Sequence, residues 1–434
     1  MTENLLKSSV LLRMGIVAFM TLILLIPTAI VESVIRERSN TRDEAILEIS
    51  DKWGRPQTIT GPILTVPVKR TTQDEKGKQF ILVDYLHILP KSLQIKGTLT
   101  TESRARGLYE AILYNGHIQI SGELTLDDIP PLVQESNVPV WADAVLTVGL
   151  SDLRGIKKDV TMNVNGDVLA ATSGVQTTDV VTTGITFQPQ INAGTRSYTF
   201  SFSLVLNGSS EILFCPVGKN TTVQIESPWP SPSFIGAFLP DSRSLDQSGF
   251  SGTWNILELN RNFPQFWKNK RFEVAESIFG VRLLRSVDEY QKTLRTAKYA
   301  ILIISLTFLA FFLSEILSRE ILHPINYALV GLGLVLFFLL LLALSEHVGF
   351  KIAYVISAIS ILSCIGLYTL AISIHQRTAA IVSFVLFLLY TFLYVVLQNE
   401  DYALLIGSLG LLIILATVMW LTRKVNWYSA KENG

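Results

Sequence analysis

Residues that build disulfides, metal centres and redox sites are scarce in this chain. Its 434 residues include two cysteines and five scattered histidines. Cys364 lies within a long apolar run and Cys215 lies in the polar part of the chain, so no internal disulfide is expected. Phosphate-binding loops, a GxSxG motif and CxxC pairs are absent as well. The sequence therefore predicts no bound metal or cofactor, and no enzyme with a recognisable catalytic motif.

Net charge is also missing, because 36 basic residues balance 36 acidic residues. Without a strongly basic domain the chain lacks the electrostatic footprint of nucleic-acid binding, and that function is set aside. Hydrophobic side chains, in contrast, make up 49% of all residues. They are concentrated in long runs, which is typical of a membrane protein whose partners include lipids.

Six apolar runs are long enough to cross a membrane as helices, which takes about 20 residues. The first, at residues 14–31, exceeds a typical signal-peptide core and lacks a convincing cleavage site, which favours an uncleaved anchor over a signal peptide. Residues 1–35 thus hold the N-terminus and the first span. Short connections predict that the last five spans form one bundle, followed by a tail at residues 422–434. These five spans are predicted at residues 299–317, 327–345, 352–374, 378–397 and 402–421.

Basic residues near the spans predict the orientation, because short cytoplasmic segments are rich in Lys and Arg. With the N-terminus inside, Lys351 is the one base in the short outer loops. Both termini are therefore predicted to be cytoplasmic, and residues 36–298 are predicted to lie on the other side. The bases then on the cytoplasmic side are Lys7, Arg13, Arg319, Arg377, Arg423, Lys424 and Lys431.

Short alternating segments rich in β-branched residues predict that residues 36–298 form a mainly β domain between the first and second spans. We expect an antiparallel sandwich or a pair of sheets, with room for a helical stretch around residues 103–113. Three Asn-Gly pairs are predicted to form tight hairpin turns. They are Asn115-Gly116, Asn165-Gly166 and Asn207-Gly208.

Two helical stalks are predicted to connect this domain to the spans. Helical spacing continues from the first span to the stop signal at Gly54, although Asn40 and Thr41 offer a place for a break. On the return side no proline or glycine interrupts residues 287–317. We therefore expect one continuous helix over those 31 residues.

Charged residues near the spans are the first candidates for chemistry. Glu315 is the charge within the later spans, where it would pair with Arg319 one helical turn away or serve as a proton or ion relay. Glu346 and His347 follow the third span, where they would bind a metal, exchange a proton or form part of a loop that touches the β domain.

A proline-rich, aromatic-rich segment at residues 229–254 is the second candidate. It would either capture a partner, since rigid aromatic side chains lose little entropy on binding, or fill the core of its own domain. Its aromatic residues are Trp229, Phe234, Phe238, Phe250 and Trp254.

The chain resembles the CreD family of bacterial inner-membrane proteins over nearly its whole length. The resemblance rests on GPILTVPV at residues 61–68, WPSPSFIGAFLP at 229–240, SGF at 248–250, AKYAILIISLTFLAFF at 297–312, LHPINYALVGLGLVLFFLLLLALSEHVGF at 322–350 and WY at 427–428. It implies a six-helix inner-membrane protein that is switched on by a two-component regulator and is linked to colicin tolerance and cell envelope integrity. With the orientation predicted from the basic residues, residues 36–298 would then lie in the periplasm. The resemblance implies no catalytic residue.

Two functions therefore stay open, and a membrane enzyme is a third, disfavoured alternative, since catalytic sites assemble in space and not in sequence. In the first, the protein is not an enzyme and its periplasmic domain binds an envelope component or protein during the envelope response. In the alternative, it is a transporter or lipid-handling protein whose domain gates the substrate. A transporter predicts a polar cavity or broken helices in the bundle, whereas an anchor predicts close packing of small residues.

Overall fold

The computed structural model describes residues 10–73, 79–126, 137–192, 194–284, 289–318, 322–372, 376–399 and 402–423. Two compact units form this chain. The helical unit comprises Met1–Arg42 and Val287–Gly434, and the β unit comprises Asp43–Ser286. Several residues used in the sequence predictions lie outside the described residues, namely Lys7, Arg319, Lys424, Trp427, Tyr428 and Lys431.

Apolar helices occupy both ends of the chain. Five helices of the described residues are long and apolar enough to cross a membrane, and the bent pair α2–α3 makes six when it is counted as one span. The number of six spans stays a prediction. The helices are α1 Val10–Trp53, α2 Glu289–Lys298, α3 Ala300–Ser318, α4 Pro324–Val348, α5 Phe350–Ile372, α6 Gln376–Gln398 and α7 Ala403–Thr422.

The return to the membrane is bent, although the sequence predicts one continuous helix at residues 287–317. Helices α2 and α3 meet at an angle of 43°. At the break, the N–H of Tyr299 donates to the carbonyl of Thr296 at 3.1 Å, three residues back instead of four. This tighter hydrogen bond interrupts the α-helical pattern at the bend, which contains no proline or glycine. The continuous helix was therefore wrong.

Helix α1 has 44 residues and continues through Asn40 and Thr41, where the sequence left a break open. The hydroxyl of Thr41 donates to the carbonyl of Glu37 at 3.0 Å, one turn earlier. This bond satisfies the hydroxyl within the helix, so the residue does not end it. At about 1.5 Å per residue the helix is roughly 66 Å long.

The β unit contains two sheets of described strands. The first has ten strands, with β14-β18-β12-β1-β6-β10-β9 in order and with β2, β5 and β17 attached beside them. The second has eight, in the order β15-β16-β13-β3-β4-β11-β7-β8. The strands are β1 Gln57–Gln73, β2 Gln79–Ile88, β3 Ser92–Arg106, β4 Tyr109–Thr125, β5 Asn137–Pro139, β6 Val145–Leu150, β7 Thr161–Val164, β8 Asp167–Ala170, β9 Thr172–Ser173, β10 Gly184–Phe187, β11 Ser197–Ser209, β12 Glu211–Cys215, β13 Asn220–Ser227, β14 Pro232–Gly236, β15 Ser242–Asp246, β16 Gly249–Leu257, β17 Phe266–Lys268 and β18 Phe279–Leu283.

One hydrophobic core joins both sheets. Alternate residues of β3, such as Leu93, Ile95 and Leu99, are fully buried, while Gln94 and Thr98 are exposed. This period of two is the pattern that predicts strands with one buried face. The mainly β domain is confirmed. Pairing is mostly antiparallel, but β1–β12 and β13–β3 are parallel.

Residues 103–113 form a hairpin instead of the helical stretch that the sequence left open. Ser103 of β3 pairs with Ile112 of β4, and Arg106 pairs with Tyr109 across the turn. Gly107 adopts a positive φ of 61°, which glycine tolerates at little cost. Strand β4 also pairs with β11 on its other side, so tertiary pairing overrides the local helix preference.

The predicted Asn-Gly turns are correct at one of three positions. Asn165 and Gly166 both have positive φ values and join β7 to β8. The other two pairs lie inside neighbouring strands, where Asn115 donates through Nδ2 to Oδ1 of Asn207 at 2.7 Å. A Cβ at Gly208 would lie 2.2 Å from the hydroxyl of Tyr114, so glycine is needed there for packing.

The end of α1 is anchored within the β unit. The indole N–H of Trp53 donates to the carbonyl of Tyr114 at 3.2 Å, and the guanidinium of Arg104 lies 4.1 Å from the centre of the Trp53 ring. One step further, the N–H of Arg55 donates to the carboxylate of Asp152 at 2.9 Å. Residues of three other segments, namely β3, β4 and the stretch after β6, therefore contact the helix end and the residues that follow it.

Candidate functional site

A cleft of about 760 Å³ opens on the outer face of the first sheet. The pairs Pro67–Tyr85 and Lys69–Val83 of β1 and β2 contribute side chains to its floor and rim. The alternate residues of β1, such as Val66, are fully buried in the core. The other lining residues are Asp143, Val145, Val168, Leu169, Ala170, Thr172, Gln176, Thr186 and Gln188.

The lining of the cleft combines apolar and polar groups. Lys69 and Asp143 carry opposite charges, and Gln176 and Gln188 offer amide donors and acceptors, all on exposed side chains. The ring of Tyr85 is half-buried beside them. Clefts of 300–1,000 Å³ with a few convergent polar groups are the usual form of small-ligand sites. The arrangement suits a polar ligand of low net charge.

A buried histidine continues the face of β2 that carries Tyr85. His87 is 1% exposed and its Nδ1 lies 3.1 Å from the hydroxyl oxygen of Thr65. Its Nε2 lies 3.5 Å from a carboxylate oxygen of Asp179, and its ring centre lies 5.5 Å from that of Trp267. Burial lowers the pKa of His87, and Asp179 opposes this shift.

Thr65, His87 and Asp179 have the residue types of a nucleophile triad, but the burial of Thr65 and His87 argues for a structural role. Thr65 is 3% exposed, so a substrate does not reach its hydroxyl in this structure. His87 instead contacts Thr65 of β1 and Asp179 in the stretch between β9 and β10, and it holds that stretch against the first sheet. Among the described residues, no three Asp, Glu, His or Cys side chains are grouped to hold a metal ion.

Glu346 and His347 lie near the end of α4, in the helical unit. Glu346 accepts a hydrogen bond from the hydroxyl of Tyr290 in α2 at 2.8 Å, whereas His347 is exposed. Beside them, Glu289 accepts from the backbone N–H of Phe350 at 2.6 Å. Glu346 thus connects α2 to α4, and a role in metal or proton chemistry stays a prediction.

Glu315 has partners that the sequence did not indicate. Its carboxylate lies 3.1 Å from the guanidinium of Arg13 in α1, and it accepts from the hydroxyl of Tyr327 in α4 at 3.0 Å. The expected partner Arg319 lies outside the described residues. The side chain of Glu315 is 4% exposed, so this network joins three helices in the interior of the helical unit.

The aromatic segment packs against the core of its own unit. Trp254 and Phe250 are buried, and the ring centre of Phe234 lies 5.7 Å from that of Trp254. Trp229 and Phe238 are half-buried against the same core. Packing accounts for these positions, and partner capture by the segment stays a prediction.

The matches to known proteins agree with this architecture. A family model described as Inner membrane protein CreD covers residues 9–428. This chain belongs to the CreD family. Inner membrane protein CreD of Escherichia coli (strain K12) is 32% identical over 432 residues, which is 98% of this chain and 95% of that protein. The family and the inner-membrane class predicted from the motifs are confirmed, while colicin tolerance and the regulon stay predictions.

One motif of the CreD resemblance contributes directly to the cleft. In GPILTVPV at residues 61–68, Pro67 lines the cleft and Thr65 contacts His87, while Leu64 and Val66 face the core. An uninterrupted run of uncharged residues is typical of a strand that is covered on both faces. The run at residues 61–68 therefore indicates that other residues also lie over the outer face of β1. It does not indicate which residues complete the cleft.

Sequence reasoning missed most of the cleft in this CreD-family chain. Lys69, Tyr85, Asp143, Gln176 and Gln188 come from five separate segments. None of them belongs to a short motif with a known mechanism. Only the pairing of the strands brings them to one face.

We expect the stability of the β unit to fall as the pH drops below the ordinary pKa of histidine, 6.5. The folded pKa of His87 is lowered, so the unfolded chain takes up the proton first. The stabilisation is present above pH 6.5 and is lost as the pH falls. Thermal unfolding of wild type and His87→Gln between pH 7.5 and 5.5 should show a smaller loss in the variant.

The matched control is His117→Gln, a change at an exposed strand position of the same unit. This substitution leaves His87 and its contacts in place, so the pH profile should stay that of wild type. Asp179 and Arg271, whose charged groups are 3.8 Å apart, face the same region and stay unchanged in both variants. Equal pH profiles for wild type and His87→Gln would contradict the assignment.

Proposed function

We propose that this CreD-family protein acts in the envelope response by binding a saccharide-bearing envelope component in the cleft of its β unit. The cleft of about 760 Å³ is the observation that carries the proposal. Its two amides, one carboxylate and one aromatic ring are flat groups that match the hydroxyls and faces of a sugar. Its charges balance, which favours a ligand of low net charge.

We place this domain in the periplasm. The proposal rests on the distribution of basic residues near the spans, which favours cytoplasmic termini. A periplasmic cleft would meet cell-wall glycans and their peptides. Membership in a family of inner-membrane proteins supports a position at the boundary between the cytoplasm and the periplasm.

Binding of a soluble muramyl disaccharide-peptide to the purified full-length protein in detergent tests the proposal. Gln176→Ala combined with Gln188→Ala should weaken binding about 5- to 150-fold, because each hydrogen bond lost from a side-chain amide contributes about 0.5–1.5 kcal/mol. Isothermal titration calorimetry measures both affinities. Gln224→Ala is the matched control, since Gln224 is exposed on the second sheet and away from the cleft lining.

Two results would contradict the proposal. Equal affinity of wild type and the double variant would remove the cleft as the binding site. Absence of binding by wild type, together with lipid or solute transport by protein reconstituted in vesicles, would favour the transporter alternative.

A further inference from the structure

The hairpin of β1 and β2 exposes four consecutive large apolar side chains at its far end. Phe80, Ile81, Leu82 and Val83 are 44%, 63%, 39% and 48% exposed. Successive residues of a strand point to opposite faces, so both faces of this part of β2 are apolar. Clusters of exposed apolar residues of this kind mark interaction sites or aggregation hazards.

The same stretch has an open backbone edge. Strand β2 pairs with β1 along its full length, from Gln79 to Ile88. On its other edge it pairs with β17 through Leu86, His87 and Ile88. Among the residues that the structure describes, no strand pairs with this edge between Gln79 and Tyr85. Backbone N–H and C=O groups along this edge therefore have no partner strand among the described residues, and exposed apolar side chains lie above and below them.

Proteins normally protect such an edge with charged side chains, proline or a bulge. Residues 79–83 contain none of these, and the sequence there is QFILV. Lys78 directly precedes the strand in the sequence and lies outside the described residues. Within β2 the first charged residue is Asp84, which is 7% exposed and lies 3.3 Å from the guanidinium of Arg70. The open part of the edge is thus the part without a protective charge.

The chemistry of the edge selects the class of its partner. A lipid surface would cover the apolar side chains but would leave the backbone groups without hydrogen bonds, which costs several kcal/mol for each group. An extended polypeptide covers the side chains and pairs with the backbone. It is the partner that satisfies both kinds of group.

The base of the same hairpin already accepts short extended segments. Strand β17 has three residues and adds antiparallel to β2, and β5 has three residues and adds antiparallel to β1 at Val68, Lys69 and Arg70. The open edge continues directly from the part of β2 that β17 covers. A bound segment would extend the line of β17 along β2.

We propose that the open edge of β2, from Gln79 to Asp84, binds an extended, aliphatic-rich segment of a partner protein by strand addition. The bound segment forms backbone hydrogen bonds with β2, and its alternate side chains contact Phe80 and Leu82 on one face and Ile81 and Val83 on the other. This site adjoins the cleft of the saccharide proposal, because Val83 lines that cleft. Phe80 and Leu82 lie on the opposite strand face and are not part of the cleft lining.

A fluorescent nine-residue peptide with alternating valine and threonine, flanked by lysines, is the probe. A second peptide of the same sequence carries N-methyl groups at alternate residues, which removes the N–H donors of one edge. Fluorescence anisotropy with the full-length protein in detergent should show binding of the first peptide, and at least tenfold weaker binding of the second. Equal binding of both would overturn strand addition.

The protein variant Phe80→Ser combined with Leu82→Ser should weaken binding of the unmethylated peptide at least tenfold. Leu259→Ser is the matched control, because Leu259 is 92% exposed and lies outside the strands. Both variants change exposed side chains, and thermal unfolding checks that they fold. Unchanged peptide binding by the double variant would overturn the site.

Two further outcomes would also overturn the proposal. Light scattering would show a dimer that the double variant loses, without peptide binding, if the edge paired with a second copy. Binding to phosphatidylethanolamine–phosphatidylglycerol vesicles that the double variant loses, without peptide binding, would assign the surface to lipid. The saccharide titration is independent of all these results, because these substitutions leave the cleft lining intact.

Discussion

Replacing Trp254 with alanine is expected to destabilise the β unit by about 3–5 kcal/mol, the usual cost of removing a buried tryptophan. The side chain is fully buried, and its ring centre lies 5.5 Å from that of Phe279. Its indole N–H donates to the carbonyl of Phe238 at 3.2 Å, a bond that the variant also loses. Chemical unfolding of the full-length protein, followed by the near-ultraviolet signal of the β unit, measures the change.

Trp229→Ala is the control from the same aromatic segment. Trp229 is half-buried and donates to the carbonyl of Leu284 at 3.0 Å, so a smaller loss is expected. Trp254→Ala with unchanged stability and a lost envelope phenotype would contradict the core assignment. It would instead favour partner capture by the segment.

Replacing Glu315 with alanine is expected to destabilise the helical unit by about 2–4 kcal/mol. Removing one partner of a buried ion pair costs about 3–5 kcal/mol. We expect a smaller value here because the side chain of Arg13 is 24% exposed. The variant also takes the acceptor from the hydroxyl of Tyr327. Thermal unfolding of the full-length protein in a mild detergent measures the loss.

Two variants separate the network from an ion relay. Tyr327→Phe should cost about 1 kcal/mol, since it removes one hydrogen bond and leaves the pair of Arg13 and Glu315. Arg13→Ala combined with Glu315→Ala should cost less than the sum of the single changes, because the two side chains interact directly. Unchanged stability of Glu315→Ala with a lost envelope phenotype would favour the relay.

Local patterns predicted the classes of element well and the turns poorly. Alternation marked β3 and β13 as strands, because each has one buried and one exposed face. The same reasoning failed at Asn207-Gly208, where the pair lies inside β11 and the glycine gives space to Tyr114. An Asn-Gly pair has the same local signal in both places, and the neighbouring strand decides between them.

The candidate sites show the same contrast between what local sequence indicates and what the tertiary structure decides. Glu315 was identified from the sequence because a charge within an apolar run is unusual, but its partner Arg13 is 302 residues away. Trp254 was identified as part of an aromatic segment, but its burial depends on residues of other strands, such as Phe234 of β14 and Phe279 of β18. Residue type was visible in the sequence, and the partner was not.

Sequence alone determined the apolar spans, the β composition of the insert and the CreD family, because burial in lipid or on one face of a sheet imposes a local period on the chain. The tertiary structure alone decided the cleft, the Arg13–Glu315–Tyr327 network and the open edge of β2. Each of these depends on which distant strands or helices lie side by side. Pairing of β1 with β2 and β6 puts Tyr85 and Val145 on one face, and the end of β17 at Lys268 leaves the rest of the β2 edge open.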